Sequence, residues 1–344
     1  MKEHKNNWKL TRRIVLVFLI TFLLSISLMT TVTSAELITD LPLNEEFPDI
    51  PPGYIIIEGD IQVPEEWLSR SPDAVWDTAL WPNGIVPYIF DANVNPANQQ
   101  NMLAAMAEWK NVANVDFIPR NGHANYVRIQ NSTGNNSAVG MQGGEQIINI
   151  FNWNSRFIMA HELAHTLGLW HEQSRSDRND YIQINTGNIA PGHEDNFDMH
   201  AEADVYPKQA YGLADEQTYD FDSVMHYSQC AFSVTTCPPT TTITVLPPNQ
   251  TWQSLIGQRD HLSDLDQLTM SFLYAENNWN FVDRTHGGSQ SGTFLNPYTS
   301  FTYAYNQIPS NDVLWIQPGT YAAVGTYDKP MTLRAPLGNV VLGP

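Results

Sequence analysis

Basic residues are scarce in this 344-residue chain. Its 17 lysines and arginines stand against 36 aspartates and glutamates, which gives a formal net charge of -19. Outside the N-terminus the sequence has no run of lysine or arginine. Nucleic acids and anionic membrane surfaces attract proteins through clustered positive charge. We therefore expect neither of them as a partner.

Cysteine is nearly missing, since the chain has only Cys230 and Cys237. This excludes a small fold that is held together by many disulfides. The apolar fraction of 42% is enough to fill a sizeable core instead, in one large or two ordinary domains. In an exported protein the two cysteines, which lie close together, are expected to pair as a local disulfide.

Long apolar runs are absent except for one near the N-terminus, "IVLVFLITFLLSISLM". It follows five basic residues and precedes the small residues "TSA", an arrangement typical of a secretory signal. A spanning helix needs about 20 apolar residues, which favours a cleaved signal over an uncleaved membrane anchor. We expect residues 1–35 to be removed after Ala35. The protein is then secreted and extracellular, with no stable membrane insertion after signal cleavage.

Two segments of different composition follow the signal. Residues 36–72 are acidic, rich in proline and too short for a core of their own, which leaves a linker or a pro-segment lying on a neighbouring domain. From residue 81 onward, strand-like "IVPYIF" precedes a helical pattern in "PANQQNMLAAMAEWKNV", and strand-like "VDFI", "YVRIQ" and "EQIINIF" come next. The pattern predicts a mixed sheet with helices, which is an α+β fold.

The stretch "HELAHTLGLWHEQSR" places three histidines within eleven residues. On a helix, His161 and His165 project from one face, where both can reach one zinc ion, and Glu162 points to the side. Gly168 can end the helix so that His171 approaches from a third direction. The pattern H-E-x-x-H alone fits a histidine-rich helix as well as a metal site. The longer pattern, with the glycine and the third histidine, indicates a zinc site with an open position for water.

Two blocks resemble the astacin family, a branch of the metzincin zinc metalloendopeptidases. "HELAHTLGLWHEQSRSDRNDYIQI" is similar to its zinc site, and "YDFDSVMHYSQCAFS" is similar to its Met-turn. Less specific matches, such as "WPNGIVPYIF" and "IGQRDHLSDLDQLTMSFLY", extend the resemblance over about residues 76–275. Glu172, directly after the third histidine, favours astacins over serralysins and matrixins.

The resemblance implies a two-lobed catalytic domain over residues 73–276, with a mixed N-terminal sheet, an active-site helix and an irregular C-terminal lobe. It implies one zinc ion per chain and the following roles. The metal ligands are His161, His165 and His171, Glu162 is the general base, Met225 packs beneath the ligands, Glu172 lies near the mature N-terminus, and Tyr227 binds zinc at rest and then donates to the oxyanion. Without the Met-turn, Tyr227 would be an ordinary core tyrosine.

A short motif gives residues 36–72 a function. Astacin pro-segments carry F-x-G-D, whose aspartate takes the place of water on the zinc, and "IEGD" here resembles it with Ile57 in place of phenylalanine. The resemblance implies that Asp60 is a zinc ligand of the latent form. The alternative is a plain glycine–aspartate turn. Arg70 offers a basic cleavage point for activation.

Other features depart from the family or extend it. The chain lacks the cysteines of the two disulfides that many relatives carry. The strand near "SAVGMQGGEQIINI" is expected to pair with an extended substrate, although a turn before a strand explains "GMQGGEQ" equally well. Six further histidines match no ligand pattern and are expected to be structural or superficial: His123, His193, His200, His226, His261 and His286.

Residues 277–344 resemble the opening of a right-handed parallel β-helix, a short β-solenoid-like segment. It has room for only one or two rungs, so we expect a truncated or incomplete domain that associates with surfaces or carbohydrate. Two functions of different class remain: a secreted zinc endopeptidase that is made as a zymogen and cuts proteins or peptides, and a catalytically idle adhesion or binding module on a protease fold. The intact ligand and base residues favour the enzyme.

Overall fold

The computed structural model describes residues 49–69, 79–200, 203, 219–294, 296–335 and 339–343, all within one compact unit that begins at residue 46. The expected signal, its cleavage after Ala35, and the expected activation point Arg70 lie outside the described residues. In the described part of the chain, no helix is long and apolar enough to cross a membrane.

A seven-stranded mixed sheet forms the N-terminal part of the unit, in the order β1-β2-β6-β7-β5-β3-β4. Strands β3, β4, β5 and β7 are joined by parallel pairs, whereas β6 runs antiparallel to β7. The mixed sheet confirms the α+β class. The strands are β1 (Tyr54–Ile57), β2 (Ile61–Pro64), β3 (Ile85–Phe90), β4 (Asp116–Pro119), β5 (Tyr126–Asn131), β6 (Asn136–Ala138) and β7 (Glu145–Ile150).

Two helices cover one face of this sheet. Helix α1 (Pro96–Val112) begins with proline at its first position, and the Asn95 side chain caps it by accepting a hydrogen bond from the Asn98 amide at 3.0 Å. Helix α2 (Arg156–Thr166) packs beside α1, where the Trp109 indole donates to the Ala160 carbonyl at 2.9 Å. The main core lies between the helices and the sheet, so the buried α2 has a rigid support.

The chain after α2 has fewer regular elements. Strands β8 (Ile182–Ile184) and β9 (Ile243–Val245) form an antiparallel pair beside an aromatic cluster. Helix α3 (Asp264–Leu273) starts with a capping box between Ser263 and Asp266. The predicted disulfide between Cys230 and Cys237 is formed in the loop before β9.

The C-terminal residues form a small parallel arrangement with its own core. Helix α4 spans Phe301–Gln307, and Phe301 packs with apolar side chains from the neighbouring strands. Parallel pairs join β10 to β11, β11 to β13, and β12 to β14. These strands are β10 (Trp279–Val282), β11 (Val313–Ile316), β12 (Gly319–Ala322), β13 (Thr332–Arg334) and β14 (Val340–Gly343).

The hairpin of β1 and β2 was not predicted from the sequence. It extends the sheet because β2 pairs in parallel with β6. The turn between the two strands needs positive φ at Glu58 (46°) and Gly59 (76°). A Cβ at Gly59 would also lie 2.5 Å from the Phe232 ring, so glycine is required both for the backbone conformation and for space.

Candidate metal centre

Helix α2 and the turn after it bring the three predicted histidines together. His161 and His165 lie one helical turn apart, and both are buried. Gly168 adopts a φ of 107°, and its amide donates to the His165 carbonyl at 2.8 Å, so the chain leaves the helix sharply. The turn returns His171 to the same point, fully buried. Ser155 occupies the N-cap of α2, although its side chain makes no capping hydrogen bond.

Each imidazole is oriented by a partner on its Nδ1 atom. His161 Nδ1 donates to the Val224 carbonyl at 2.7 Å, and His165 Nδ1 donates to the Leu169 carbonyl at 2.8 Å. His171 Nδ1 lies 2.7 Å from a Glu58 carboxylate oxygen. With protons on Nδ1, the three Nε2 lone pairs face one another. The His161 Nε2 atom lies 3.1 Å from that of His165 and 3.3 Å from that of His171. This is the donor arrangement that zinc prefers.

Asp60 supplies a fourth donor from the turn region of the β1–β2 hairpin. Its carboxylate lies 3.2 Å from His161 Nε2, 3.1 Å from His171 Nε2 and 3.5 Å from His165 Nε2. The four donor atoms lie within 4.8 Å of one another, and no second group of this kind occurs in the described residues. Three nitrogens and one oxygen around a common point fit one zinc ion in a closed tetrahedral set.

Opposing electrostatic effects act on the donor groups. Burial alone would raise the pKa of Glu58, but hydrogen bonds from His171 and His200 outweigh it and lower that pKa to about 2. Burial would lower the pKa of His171, yet the charges of Asp60 and Glu58 raise it to about 9. Burial and the nearby Arg259 lower the pKa of His161 to about 3. The two carboxylates thus favour a cation at this point, as a metal site requires.

Glu162 lies beside the ligands on α2 and is almost fully buried. Its Oε2 atom has no hydrogen-bond partner among the described residues. Burial raises the pKa of Glu162 well above its usual value, the negative charge of Asp60 raises it further, and Arg259 opposes both effects. A carboxylate with an unused oxygen and a raised pKa suits proton transfer. Arg259 was not singled out from the sequence, because no motif in the residues around it indicates that it lies near the histidines.

Tyr227 lies beside His171. Its ring centroid is 4.7 Å from that of His171, and its amide donates to the Gln173 side chain at 2.9 Å. The phenol donates a hydrogen bond to the Glu58 carbonyl, so in this structure it binds the chain segment that carries Asp60. The structure therefore brings His161, His165, His171, Glu162, Tyr227 and Asp60 to one place.

The comparisons with known proteins agree with this geometry. The family model for astacin, a family of peptidases, matches residues 75–275. This chain belongs to the astacin family. Its similar relatives include zinc metalloproteinase nas-14 of Caenorhabditis elegans, 34% identical over 57% of this chain and 37% of the relative. Mouse meprin A subunit beta is 32% identical over 64% of this chain and 30% of the relative, so the chain spans about a third of the length of these two proteins.

Two fish proteins are similar over most of their own length. Low choriolytic enzyme of Oryzias latipes is 30% identical over 64% of this chain and 78% of the relative. The solved structure of high choriolytic enzyme 1, a hatching enzyme zinc-protease of Oryzias latipes, covers 60% of this chain and 96% of that chain, with 30% sequence identity and a TM-score of 0.49.

The segment of this astacin chain that resembles the Met-turn contacts His161 through the Val224 carbonyl. Met225 is fully buried in the main core, and its carbonyl accepts a hydrogen bond from the Glu172 amide at 3.2 Å. Asp266, on α3, accepts hydrogen bonds from the Ser223 hydroxyl at 2.6 Å and from the Val224 amide at 2.8 Å. Because the Val224 carbonyl in turn accepts from His161, Asp266 supports a zinc-ligand candidate through the backbone of one residue. Asp266 was not predicted from the sequence, although the capping box in "LSDLD" marks its position.

Replacing Asp266 by alanine is expected to destabilise the zinc-loaded full chain by about 2 to 3 kcal/mol, because buried donors lose a charged acceptor. Urea unfolding followed by tryptophan fluorescence measures this loss. Asp264→Ala is the matched control, since Asp264 is exposed in the same first turn of α3. Equal losses for the two variants would contradict the supporting role of Asp266.

Glu172 is buried and links the exit of α2 to the residues before the Met-turn. Its carboxylate accepts hydrogen bonds from the Asp220 amide at 2.7 Å and from Arg175 at 3.0 Å. Arg175 also binds Asp177. These contacts form a buried polar link through Glu172, whereas its proximity to a mature N-terminus stays a prediction.

Glu58 is the most prominent group in the site that the sequence did not predict. Its carboxylate contacts His171, accepts from the Ser174 hydroxyl at 2.7 Å, and lies 3.0 Å from His200 Nε2. His200, expected to be structural or superficial, thus holds the segment that precedes Asp60. The only local signal was an acidic residue within "IEGD".

Proposed function

We propose that this chain is a secreted zinc endopeptidase that is made as a latent zymogen and cuts proteins or peptides. The observation that carries the proposal is the convergence of three Nδ1-anchored imidazoles on one point beside Glu162. A zinc ion there would be held by His161, His165 and His171, and it supplies Lewis-acid activation of water and of a carbonyl group.

Glu162 is the proposed general base and acid. Its free Oε2 accepts a proton from the water that attacks the scissile carbonyl carbon, and it then delivers that proton to the leaving amine nitrogen as the C–N bond breaks. The reaction leaves one new carboxyl group and one new amino group, which together hold both protons of the water, and it returns Glu162 to its starting state. Burial of the carboxylate supports this role because a raised pKa lets it hold the proton between the two transfers.

Tyr227 is the proposed donor to the oxygen of the substrate carbonyl. It already donates to a peptide carbonyl, that of Glu58, beside the metal-binding residues. A phenol in this position can stabilise negative charge that develops on such an oxygen. We also keep the proposal that Tyr227 binds zinc in the resting mature enzyme. Met225 supports the ligands by packing, and Glu172 by the buried polar link.

Latency is proposed to come from residues 36–72. Asp60 takes the fourth donor position, Glu58 binds His171 and His200, and β2 covers the β6 edge of the sheet. A peptide substrate needs both the fourth position and this edge. Cleavage near Arg70 would release the segment and expose both, so that an extended peptide can pair with β6.

The remaining assignments are proposals about the rest of the chain. Residues 1–35 act as the export signal, residues 73–276 form the protease domain, and residues 277–344 form a β-solenoid-like segment. The parallel pairs among β10, β11 and β13 and between β12 and β14 support a solenoid-like arrangement. For that segment we propose association with surfaces or carbohydrate, and for the whole chain no nucleic-acid partner, in keeping with its net charge of -19.

Chelator-sensitive proteolysis tests the proposal. The full chain, loaded with one zinc ion, is converted with trypsin, and trypsin is then inhibited. We expect the product to cleave casein, a chelator such as 1,10-phenanthroline to stop cleavage, and added zinc to restore it. Absence of chelator-sensitive cleavage at one zinc per chain would reject the enzyme and favour an idle binding module.

A further inference from the structure

A row of carboxamide side chains crosses the sheet on the face opposite the helices. The row runs from β2 through β6 and β7 to β5, and its members are Gln62, Asn136, Asn149 and Gln130. The other face of β6 is marked by Ser137, whose hydroxyl lies 2.8 Å from that of Thr166 on α2. The row therefore lies outside the main core, and neither the zinc ligands nor the proposed base uses it.

The side chains of the row are buried, and hydrogen bonds join each one to the next. Gln62 Nε2 donates to Asn136 Oδ1 at 2.5 Å and to the Ile147 carbonyl at 3.1 Å. Asn149 Nδ2 donates to Asn136 Oδ1 at 2.9 Å, and Gln130 Nε2 donates to Asn149 Oδ1 at 2.8 Å. Gln62, Asn136 and Asn149 are each at most 1% exposed. Asn136 Nδ2, in addition, has no partner among the described residues.

The first member of the row comes from the segment that the proposed function removes. Gln62 lies on β2, which pairs with β6 so that Gln62 is opposite Ala138. It follows Asp60, the metal-site carboxylate, by two residues. Once β1 and β2 leave, β6 is the edge of the sheet, and Asn136 and the Ile147 carbonyl lose the amide group that satisfied them.

The groups that Gln62 contacts select a particular kind of side chain. Asn136 Oδ1 and the Ile147 carbonyl are two acceptors that one NH2 group satisfies together. A carboxylate would place acceptors against acceptors, and an alanine would leave the Ile147 carbonyl without this donor and Asn136 Oδ1 with only the donor from Asn149. An ammonium group would bring a charge into a buried place where the contacting atoms are neutral, which is costly. The NH2 group of a primary carboxamide matches both acceptors.

We propose that Asn136, Asn149, Gln130 and the Ile147 carbonyl form a substrate subsite for a glutamine or asparagine side chain. The subsite takes the residue of an extended substrate that lies opposite Ala138, about two to three residues from the scissile bond. Gln62 is its occupant in the latent chain, as an internal mimic of that substrate residue. The inference rests on the proposed function, because it needs a peptide strand to replace β2 on the β6 edge.

Binding tests the subsite without catalysis. A labelled synthetic peptide spanning residues 49–69 is titrated into the zinc-loaded full chain carrying Glu162→Gln, after trypsin conversion. We expect Gln62→Ala in the peptide to weaken binding about tenfold or more, and Gln62→Glu to weaken it at least as much. In protein that also carries Asn136→Ala, the ratio between the Kd values of the native and Gln62→Ala peptides should fall below about threefold.

Two results would overturn the subsite in this assay. One is equal binding of the native and Gln62→Ala peptides, and the other is no binding of the native peptide. Gln100→Ala in the protein is the control, because Gln100 is an exposed amide on α1, remote from the row, and it should leave the ratio unchanged.

Kinetics separate the subsite from the proposed function. With trypsin-converted chain and a peptide library, kcat/KM should be about tenfold higher for glutamine or asparagine at one position near the scissile bond, and Asn136→Ala should remove that preference. Cleavage without any amide preference rejects the subsite and leaves the protease proposal intact. Amide-dependent peptide binding without any cleavage rejects the protease proposal and leaves the subsite intact.

Discussion

Replacing Glu162 by glutamine is expected to lower kcat/KM for casein or peptide cleavage by about a thousandfold. The substitution keeps the shape of the side chain and its hydrogen-bonding reach but removes its ability to accept a proton. The carboxylate is buried beside the histidines, and its Oε2 has no hydrogen-bond partner among the described residues that could act in its place. The measurement is initial-rate kinetics of the trypsin-converted chain.

The zinc content of Glu162→Gln shows whether its loss of activity comes from the missing proton transfer or from loss of the metal. The metal is expected to stay at one ion per chain in Glu162→Gln, since the three imidazoles and their Nδ1 partners are untouched. Glu276→Gln, an exposed glutamate after α3, is the control and should retain full activity. If Glu162→Gln kept more than about a tenth of the activity at full zinc occupancy, another residue would have to be the base.

Replacing Asp60 by alanine is expected to make the uncleaved full chain active, with a gain of about tenfold or more over the native zymogen. The carboxylate contacts all three histidines, and the loss of a charge-assisted contact in a buried site shifts an equilibrium by about 1.5 to 3 kcal/mol. Opening of the fourth donor position therefore becomes easier, although Glu58 and the β2–β6 pair still hold the segment.

The assay compares cleavage of a quenched fluorescent peptide by uncleaved chains, with gel analysis to verify that residues 36–72 remain attached. Glu65→Ala is the matched control, because Glu65 is an exposed carboxylate on the same segment and should leave latency unchanged. If the uncleaved Asp60→Ala chain were as inactive as the Glu65→Ala chain, Asp60 would be only part of a glycine–aspartate turn, and latency would need another cause.

Local patterns were sufficient for the elements around the site. Helix α1 was predicted from Pro96 and the apolar spacing after it, and α2 from the four-residue separation of His161 and His165. Gly168 ends the helix as expected, because its φ of 107° suits a residue without a Cβ. Spacing along one helix and one turn is enough to bring three imidazoles together, so this part of the site follows from the sequence alone.

Contacts between distant parts of the chain were not predictable in the same way. The β1–β2 hairpin extends the sheet because β6 offers an open edge. Each of the two strands has only four residues, too few for an alternating pattern that would predict a strand. Glu58, Arg259 and Asp266 reach the site from segments far apart in sequence. Their residue types are ordinary, and only their burial near the histidines distinguishes them.

The amino-acid sequence by itself establishes the family resemblance, the three imidazoles and the neighbouring Glu162, since these depend on residues within one helix and its turn. The folded chain decides the rest: which carboxylate completes the donor set, which acceptors hold each Nδ1 atom, and where Gln62 inserts its amide. The physical reason is the distance along the chain over which each interaction acts. Helical spacing acts over a few residues, whereas burial, hydrogen-bond partners and electrostatic fields depend on segments that only tertiary packing brings together.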